Sequence, residues 1–338
     1  MTKKKAYARA GVDVDLGNRL KRKIQGLVSQ THGPEVLGKI GGFGGLFAPD
    51  FAGMREPVLV SSIDGVGTKL KIAFAMNRHD TVGADLVNHC INDIAVLGAR
   101  PLFFLDYIGA EKLEPKVFTQ ILRGFSTACR AGNCALIGGE TAQMPGMYRP
   151  GEYDLAGCIV GVVDRREIID GSRIKPGDVI LGLPSNGLHT NGYSLARKIF
   201  FEQLRLKPSA RIPGLRLSLG EELLRSHRNY QPLLAGVGPE RLKGLAHITG
   251  GGLLDNLPRV LPGDCDAAID TASWKAPAIF QLMQEQGRVS RAEMYQVFNM
   301  GIGMAAIVAP NDAGAIGKQL RAKAIGRIAR GKGGVQLL

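Results

Sequence analysis

The sequence contains no apolar run as long as a membrane-spanning helix, and no apolar stretch follows its basic amino terminus. We therefore expect a cytoplasmic protein with no signal peptide and no membrane partner. Its five cysteines are scattered and include no CxxC pair, which argues against a zinc site and favours reduced thiols. The P-loop motif is also missing, so any nucleotide site must be of another type.

Acidic residues are in the minority, with 30 Asp and Glu against 43 Lys and Arg, and the formal net charge is +13. Such a charge attracts anionic partners, either nucleic acids or phosphorylated metabolites. The basic residues are dispersed, aromatic residues are not interleaved with them, and no nucleic-acid-binding motif is present. We therefore expect a phosphorylated small-molecule substrate and no nucleic acid.

With 338 residues, of which 45% are apolar, the chain is long enough for two domains. Predicted strands and helices alternate in both halves, which indicates two α/β or α+β domains, 1–165 and 166–338. The glycines cluster at the ends of apolar runs, as is typical of turns and ligand loops. The densest cluster, Gly41–Gly45, is predicted to be a loop, either a plain linker or a lid over bound phosphate.

The most informative segment is 64–69, which directly follows the apolar run 57–63, a predicted buried strand. The Asp64 carboxylate can hold a hard cation such as Mg2+, and the Lys69 ammonium can neutralise phosphate. Gly65 and Gly67 allow the backbone to approach a ligand closely, and Thr68 adds a hydroxyl. The segment therefore predicts a metal–nucleotide site, with a tight turn carrying a surface lysine as the alternative.

A second group of polar residues lies on the predicted helix 80–97, where helical spacing places Asp85, His89, Asn92 and Asp93 on one face. Solvent exposure explains one or two such residues. Four of them indicate a polar site, because buried carboxylates need cations or hydrogen-bond donors. We predict that Asp93 is a second metal ligand beside Asp64, and that Asp85 is a further candidate for the nucleotide site.

Glycine-bearing junctions complete the set of candidates. Glu140 ends a predicted strand beside Gly138 and Gly139, where ligand sites of α/β sheets gather, so we predict nucleotide and metal contacts there. In the second half, a polar strand-to-helix junction and a glycine run before a helix could bind substrate oxygens or phosphate. Capped turns are the alternative in each case. The predicted substrate-binding residues are His189, Asn191, Thr249, Gly250, Gly251 and Gly252.

These clusters, in this order, resemble the phosphoribosylformylglycinamidine cyclo-ligase family, also called aminoimidazole ribonucleotide synthetases. The resemblance covers nearly the whole chain. It implies a two-domain α/β (α+β) fold and a homodimer in which the amino-terminal domains close a central β-barrel. Further matching segments are Pro101–Tyr107, Met144–Tyr148, His189–Ser194, His247–Gly252 and Pro258–Pro262.

The resemblance also implies a reaction. ATP phosphorylates the formyl amide oxygen of formylglycinamidine ribonucleotide, and an amidine nitrogen then attacks the iminophosphate carbon to give 5-aminoimidazole ribonucleotide, ADP and phosphate. This is a step of de novo purine biosynthesis, with ATP and Mg2+ as cofactors. The implied metal ligands are Asp64, Asp93 and Glu140, and the implied catalytic residues are Asp64, Lys69 and His189.

The chain departs from the family at a few positions. Gln25 stands where lysine is frequent, Gln143 where glutamate is common, Met300 where cysteine is frequent, and His227 where threonine is usual. The two glutamines give some support to an alternative, a non-catalytic nucleotide-binding protein that uses the same fold. Formation of ADP and aminoimidazole ribonucleotide would discriminate between the two.

Overall fold

The computed structural model describes residues 6–338, so residues 1–5 of the predicted first domain lie outside it. Two β-sheets form, one from each half of the sequence, and the predicted mixture of strands and helices is confirmed in both. The helices are α1 (Ala6–Arg9), α2 (Val14–Ser29), α3 (Leu70–Met76), α4 (Asp80–Ala95), α5 (Pro115–Ala131), α6 (Tyr193–Arg197), α7 (Leu219–Leu223), α8 (Gln231–Leu234), α9 (Gly252–Asn256), α10 (Ala278–Gly287), α11 (Arg291–Val297) and α12 (Ala313–Leu320).

The first sheet has four strands, β1 (Pro57–Gly65), β2 (Arg100–Ala110), β3 (Ala135–Gln143) and β4 (Tyr153–Asp164). Their order in the sheet is β1-β4-β2-β3. Strand β4 is antiparallel to β1 and β2, and β2 and β3 are parallel. Helix α4 packs against β1, β2 and β4, and α5 packs against α4 and β3. The two helices can approach closely because Gly83 and Gly124 carry no side chain, and a side chain at either position would collide with the backbone of the other helix.

The other face of this sheet is open in the single chain. Alternate residues of β1 point away from the helices, and Leu59 and Ile63 are 64% and 73% exposed. The prediction of a strand at 57–63 is confirmed, but the prediction that it is buried is wrong, because its residues alternate between exposed and half-buried. The apolar run therefore covers one half-buried and one open face.

The second sheet has six strands, β5 (Val179–Pro184), β6 (Gly244–His247), β7 (Cys265–Ile269), β8 (Ile302–Val308), β9 (Lys323–Arg330) and β10 (Val335–Leu337). Their order in the sheet is β10-β7-β9-β5-β8-β6. Strand β8 is buried at every position, which explains its uninterrupted apolar sequence. The predicted helix at 192–204 is divided, because α6 ends at Arg197 and a π-helical turn, Lys198–Gln203, follows.

The larger of two apolar cores is shared by the two halves. It runs from Ile72 and Ile91 in the first half to Leu223 and Phe280 in the second, while a smaller core lies almost entirely in the second half. Within residues 6–338, no helix combines the length and the apolarity needed to cross a bilayer. The polar face of α4 lies at the junction between the two halves, where the candidate site forms.

Candidate active site

The polar face of α4 binds the backbone of residues 225–230, which we call the docking segment. Asn88 Nδ2 donates to the His227 carbonyl at 2.7 Å. Asn92 Nδ2 donates to the Arg228 carbonyl at 2.8 Å, and Asn92 Oδ1 accepts from the Tyr230 amide at 2.9 Å. The backbone groups of the docking segment are buried and need hydrogen-bond partners, which the amide side chains of α4 provide. Most of the polar face of α4 therefore joins the two halves of the chain.

Lys69 and Asp85 form a buried pair inside this junction. Both carboxylate oxygens of Asp85 lie 2.8 Å from Lys69 Nζ, and both side chains are fully buried. Lys69 Nζ also donates to the carbonyls of His189 at 2.9 Å and Arg225 at 2.7 Å. Asp85 accepts the His227 amide at 2.6 Å. Burial lowers the pKa of Lys69 and raises the pKa of Asp85, while their mutual attraction opposes both shifts.

This geometry contradicts the predicted contact of Lys69 with phosphate and of Asp85 with nucleotide. All three protons of the Lys69 ammonium are directed at acceptors within the protein, and Asp85 faces only Lys69 and the docking segment. The two residues hold the halves of the chain together.

Asp64 and Asp93 have a different setting, on the wall of a cavity of about 390 Å3. His89 Nε2 lies 2.8 Å from Asp64 Oδ2 and 3.6 Å from Asp93 Oδ2. His247 Nδ1 lies 2.8 Å from Asp93 Oδ1. The structure therefore brings the two carboxylates together around a shared imidazole. Other residues that line this cavity are Ser62, Thr249, Asn256 and Arg259.

The imidazoles determine the charge of these carboxylates. Burial alone would raise the pKa of both, yet the hydrogen bond and charge of His89 hold the pKa of Asp64 below its ordinary value, and His247 does the same for Asp93. Burial lowers the pKa of His89, but the hydrogen bond to Asp64 and the charge of Asp93 outweigh it and raise that pKa. The cavity thus presents two ionised carboxylates at neutral pH.

The structure does not bring Glu140 into this cluster. Across the sheet, Asp64 pairs with Gly157, Gly157 with Asp106, and Asp106 with Gly139. Three strand spacings separate Asp64 from Gly139 by roughly 14 Å, and Glu140, one residue further on, points to the opposite face. Within one chain this contradicts the prediction that Glu140 binds the same metal ion as Asp64 and Asp93.

Glu140 lines a second cavity, of about 490 Å3, with Gly138 and Gly139. The loop Gly41–Gly45 also lines it, so the glycine cluster lies beside the predicted nucleotide residues. The sequence analysis missed Asp106, another residue of this cavity. Burial raises the pKa of Asp106 to about 7. The sequence did contain a signal for this residue, because Asp106 is a carboxylate within the otherwise apolar segment Pro101–Tyr107.

His189 is buried and does not reach either cavity. Its side chain is 1% exposed, its ring stacks on His227 at 4.1 Å, and neither ring nitrogen has a hydrogen-bond partner among the described residues. Burial lowers its pKa well below the ordinary value. This contradicts the predicted role of His189 in binding substrate and in acid–base catalysis. Its carbonyl, bound by Lys69, is the group that contributes to the junction.

Among the remaining predicted residues, Thr249 lines the first cavity, while Asn191, Gly250, Gly251 and Gly252 are not among its lining residues. The amide of Asn256, which does line the cavity, donates to the carbonyls of Gly250 and Gly252 at 3.2 and 2.7 Å. Asn191 lies beside Gly250, since a Cβ atom built on Gly250 would be 3.2 Å from the amide oxygen of Asn191. Gly251 has a φ of 93° and precedes α9. The structure thus places one residue of the predicted substrate loop, Thr249, in the same cavity as Asp64 and Asp93.

The glycines of segment 64–69 shape the end of β1. The Gly65 amide donates to Asp64 Oδ1 at 2.6 Å, and Gly67, with a φ of 68°, begins a 3-10 turn. Thr68 Oγ1 lies 3.1 Å from Ser194 Oγ at the exposed edge of the junction. These residues turn the chain from the carboxylate at the cavity to the buried lysine.

Both halves of the chain match models of known families. Residues 51–163 match the model described as AIR synthase related protein, N-terminal domain, and residues 175–337 match AIR synthase related protein, C-terminal domain. A phosphoribosylformylglycinamidine cyclo-ligase of Syntrophotalea carbinolica is 53% identical over 312 residues, which cover 92% of this chain and 89% of that protein. One of Geobacter sulfurreducens is 51% identical, with 98% and 97% covered.

Solved structures with the same fold are more distant in sequence. A thiamine-monophosphate kinase from Stenotrophomonas maltophilia superposes with a TM-score of 0.69 at 21% identity, covering 93% of this chain and 95% of that one. The hydrogenase maturation protein HypE in complex with ATP superposes with a TM-score of 0.67 at 17% identity, covering 97% and 93%. These likenesses support the two-domain fold and nothing finer.

Proposed function

Because this chain belongs to the phosphoribosylformylglycinamidine cyclo-ligase family, it is a ligase of purine biosynthesis, and we propose how its residues carry out the reaction. The reaction is the ATP-dependent cyclisation of formylglycinamidine ribonucleotide to 5-aminoimidazole ribonucleotide, with release of ADP and phosphate. The observation that supports this site most strongly is the convergence of Asp64 and Asp93, from separate elements, on a cavity that also contains Arg259.

The proposed chemistry has two steps. An amide oxygen is a poor leaving group, and phosphorylation of the formyl amide oxygen by ATP corrects this. The amidine nitrogen then attacks the iminophosphate carbon, the new C–N bond closes the imidazole ring, and phosphate leaves with the former amide oxygen. Phosphoryl transfer depends on positioning and charge neutralisation more than on covalent help from the protein. The residues around this cavity can supply both.

Asp64 and Asp93 fit a divalent cation, because both are ionised carboxylates that face one cavity. Mg2+ bound there would neutralise charge on the polyphosphate. His89 and His247 hold the two carboxylates in place. Arg259 offers a positive charge to a substrate phosphate, beside the hydroxyl of Thr249.

The second cavity is proposed as a further part of the nucleotide site. Its glycines, Gly138 and Gly139, allow close approach of a ligand, and the loop Gly41–Gly45 borders it. Lys21 and Gln25 line it from α2, so a basic residue is present although Gln25 is uncharged. In this proposal Glu140 binds at the second cavity and not at the first.

Homodimerisation in the cytoplasm is also part of the proposal. The open sheet face with Leu59 and Ile63 supports a dimer, since large apolar patches on a surface mark interaction sites. Closure of a barrel by a second copy would bury this face. Replacement of Ile63 by Arg should convert the dimer to a monomer in analytical ultracentrifugation, and a wild-type monomer would reject the dimer.

The function is tested with purified protein, ATP, Mg2+ and formylglycinamidine ribonucleotide. We expect ADP and 5-aminoimidazole ribonucleotide in equal amounts. Asp64→Asn should abolish turnover while the fold is retained, whereas Asp154→Asn, which changes an exposed carboxylate of the same sheet, should remain active. Formation of neither product by the wild type would favour the non-catalytic nucleotide-binding protein. Near-native activity of Asp64→Asn would reject its metal role.

A further inference from the structure

Asp106 carries a carboxyl group on a face of β2 that is otherwise apolar and buried. Its neighbours on that face, Phe104 and Ile108, are 0% and 1% exposed, because alternate residues of a strand share one face. Asp106 itself is half-buried and lines the second cavity. Within residues 6–338, the only hydrogen bond to its carboxyl group comes from its own backbone amide. The carboxyl group is therefore left with lone pairs that no other described residue uses, at the inner wall of a cavity.

Gly139 makes room for this carboxyl group. It lies directly opposite Asp106 on the neighbouring strand β3, and a side chain there would collide with the carboxyl group and the backbone carbonyl of Asp106. The carboxyl group therefore lies over the bare backbone of Gly139, which also lines the cavity. Glu140 is the next residue of β3, and its side chain points to the opposite face of the sheet. The two acidic groups consequently do not converge as a pair of metal ligands.

The walls of the second cavity are mainly apolar, and its positive charges are exposed. The volume of about 490 Å3 falls in the range of sites that bind small molecules and cofactors. Lys21 and Lys39 line the cavity with exposed side chains, so they can meet a phosphate that stays close to solvent. The arrangement suits a ligand with a flat apolar body, an inner hydrogen-bond donor and an anionic tail. The apolar lining residues include Ile24, Val28, Phe118, Leu122, Leu136 and Ile137.

Distance along the sheet indicates which part of the nucleotide meets Asp106. Asp64 pairs with Gly157, and Gly157 pairs with Asp106, so two strand spacings, roughly 10 Å, separate the two acidic residues. In the proposed reaction the amidine nitrogen attacks the carbon that carries the transferred phosphoryl group, beside the metal ion at Asp64. The amidine is thus confined to the first cavity. The base lies at the opposite end of ATP from that phosphoryl group, and it is the part left for the second cavity.

We propose that Asp106 recognises the base of ATP, because one oxygen of its carboxyl group accepts a hydrogen bond from the amino group at C6 of adenine. The inference deepens the proposed function and rests on it, since it assigns the base to the second cavity. The contact forms in either charge state of the carboxyl group, because both states keep an acceptor oxygen. It satisfies a half-buried polar group for which an unpaired state is costly. Asp106 is therefore a specificity residue and takes no part in bond making or breaking.

Equilibrium binding of nucleotides to the full-length protein with Mg2+ tests the proposal. The probe is purine riboside triphosphate, which is ATP without the amino group at C6. We expect the wild type to bind ATP roughly 10–100-fold more tightly than this probe, as one hydrogen bond to a carboxyl group implies. Asp106→Leu should lose the preference, whereas Asp106→Asn should keep most of it, because an amide oxygen also accepts. Asp154→Leu, which changes an exposed carboxylate of β4, should keep the wild-type preference.

Three outcomes would overturn the proposal. They are equal affinity of the wild type for the two nucleotides, a full preference in folded Asp106→Leu protein, and a loss in Asp106→Asn as complete as in Asp106→Leu, which would assign the preference to charge. If Asp106→Leu does not fold, Asp106→Ala makes the same comparison without added volume. Turnover of ATP by a wild type with no preference would reject this inference alone. A preference that depends on Asp106, in a protein that forms no 5-aminoimidazole ribonucleotide, would reject the proposed reaction alone.

Discussion

Asp85 and Asp93 lie on the same face of α4, about two turns apart, and their surroundings differ in every respect. Asp85 is fully buried, neutralised by Lys69, and used to hold the docking segment. Asp93 is partly exposed at a cavity, and its partners are two imidazoles and the hydroxyl of Ser62, which donates to Asp93 Oδ2 at 3.1 Å. The same residue type at helical spacing therefore serves a junction in one turn and a candidate metal site in another.

The comparison shows that the partner of each carboxylate decides its role: a lysine commits Asp85 to the junction, and imidazoles keep Asp93 available at the cavity. A lysine with all its protons committed leaves nothing for a ligand. Histidines that hold a carboxylate at the edge of a cavity leave its other lone pairs accessible. Four changes of single residues, taken from the largest expected effect to the smallest, can break or sharpen this contrast.

Asp93→Asn should lower turnover roughly 10²–10³-fold, because it removes charge where the transferred phosphoryl group is stabilised. The melting temperature should change little, since the amide keeps the shape of the side chain. The rate of ADP release with saturating ATP measures the effect. An Asp93→Asn variant with wild-type turnover and a large loss of stability would place Asp93 with Asp85 in the junction.

Lys69→Met should lower the free energy of unfolding by about 3–5 kcal/mol, because it leaves the Asp85 carboxylate buried and unpaired. Urea denaturation measures it. The matched control is Lys71→Met, whose partly exposed pair with Glu152 should be worth at most about 1 kcal/mol. Unchanged stability of Lys69→Met, with weaker ATP binding, would restore the role of Lys69 at phosphate.

Asn92→Ala should lower the free energy of unfolding by about 1–3 kcal/mol, because the Arg228 carbonyl and the Tyr230 amide both lose a buried partner. Asn88→Ala removes a single contact, to the His227 carbonyl, and should have the smaller effect of the two. Equal and negligible effects of both variants in urea denaturation would argue that apolar packing alone holds the docking segment.

The smallest of the four expected effects is that of His89→Gln on the pH dependence of the free energy of unfolding. The pKa of His89 is raised above 6.5 in the folded chain by Asp64 and Asp93, against the effect of burial. Its contribution is therefore complete below that pH and is lost as the pH rises through the folded pKa. In metal-free buffer, the wild type should lose more stability than His89→Gln as the pH rises from below 6.5 through the folded pKa of His89. Parallel profiles would contradict the raised pKa.

The sequence predicted the features that depend on local pattern. Alternation of apolar and polar segments gave both sheets, and the end of β1 placed Asp64 at a cavity. Helical spacing placed Asp93 on the face of α4 that borders the same cavity, although its predicted role as a metal ligand stays a prediction. These predictions succeeded because periodicity and strand ends act over a few residues.

The missed features depend on distant partners. Nothing near Lys69 in sequence reveals that its acceptors are the carbonyls of His189 and Arg225, which come from the second half. Burial of His189, and the contact of His247 with Asp93, likewise require the junction to form first. The open face of β1 was missed because an apolar run does not tell which of its faces a second chain would cover.

Lys69 and helix α4 bind the docking segment through its carbonyl and amide groups, which every residue except proline provides in full. Two of its side chains are fixed as well, since Tyr230 and His227 are buried and the Tyr230 hydroxyl donates to the Pro184 carbonyl at 3.0 Å. A substitution in this segment therefore leaves the main-chain contacts in place, whereas the loss of either buried ring would open a cavity where the two halves of the chain meet.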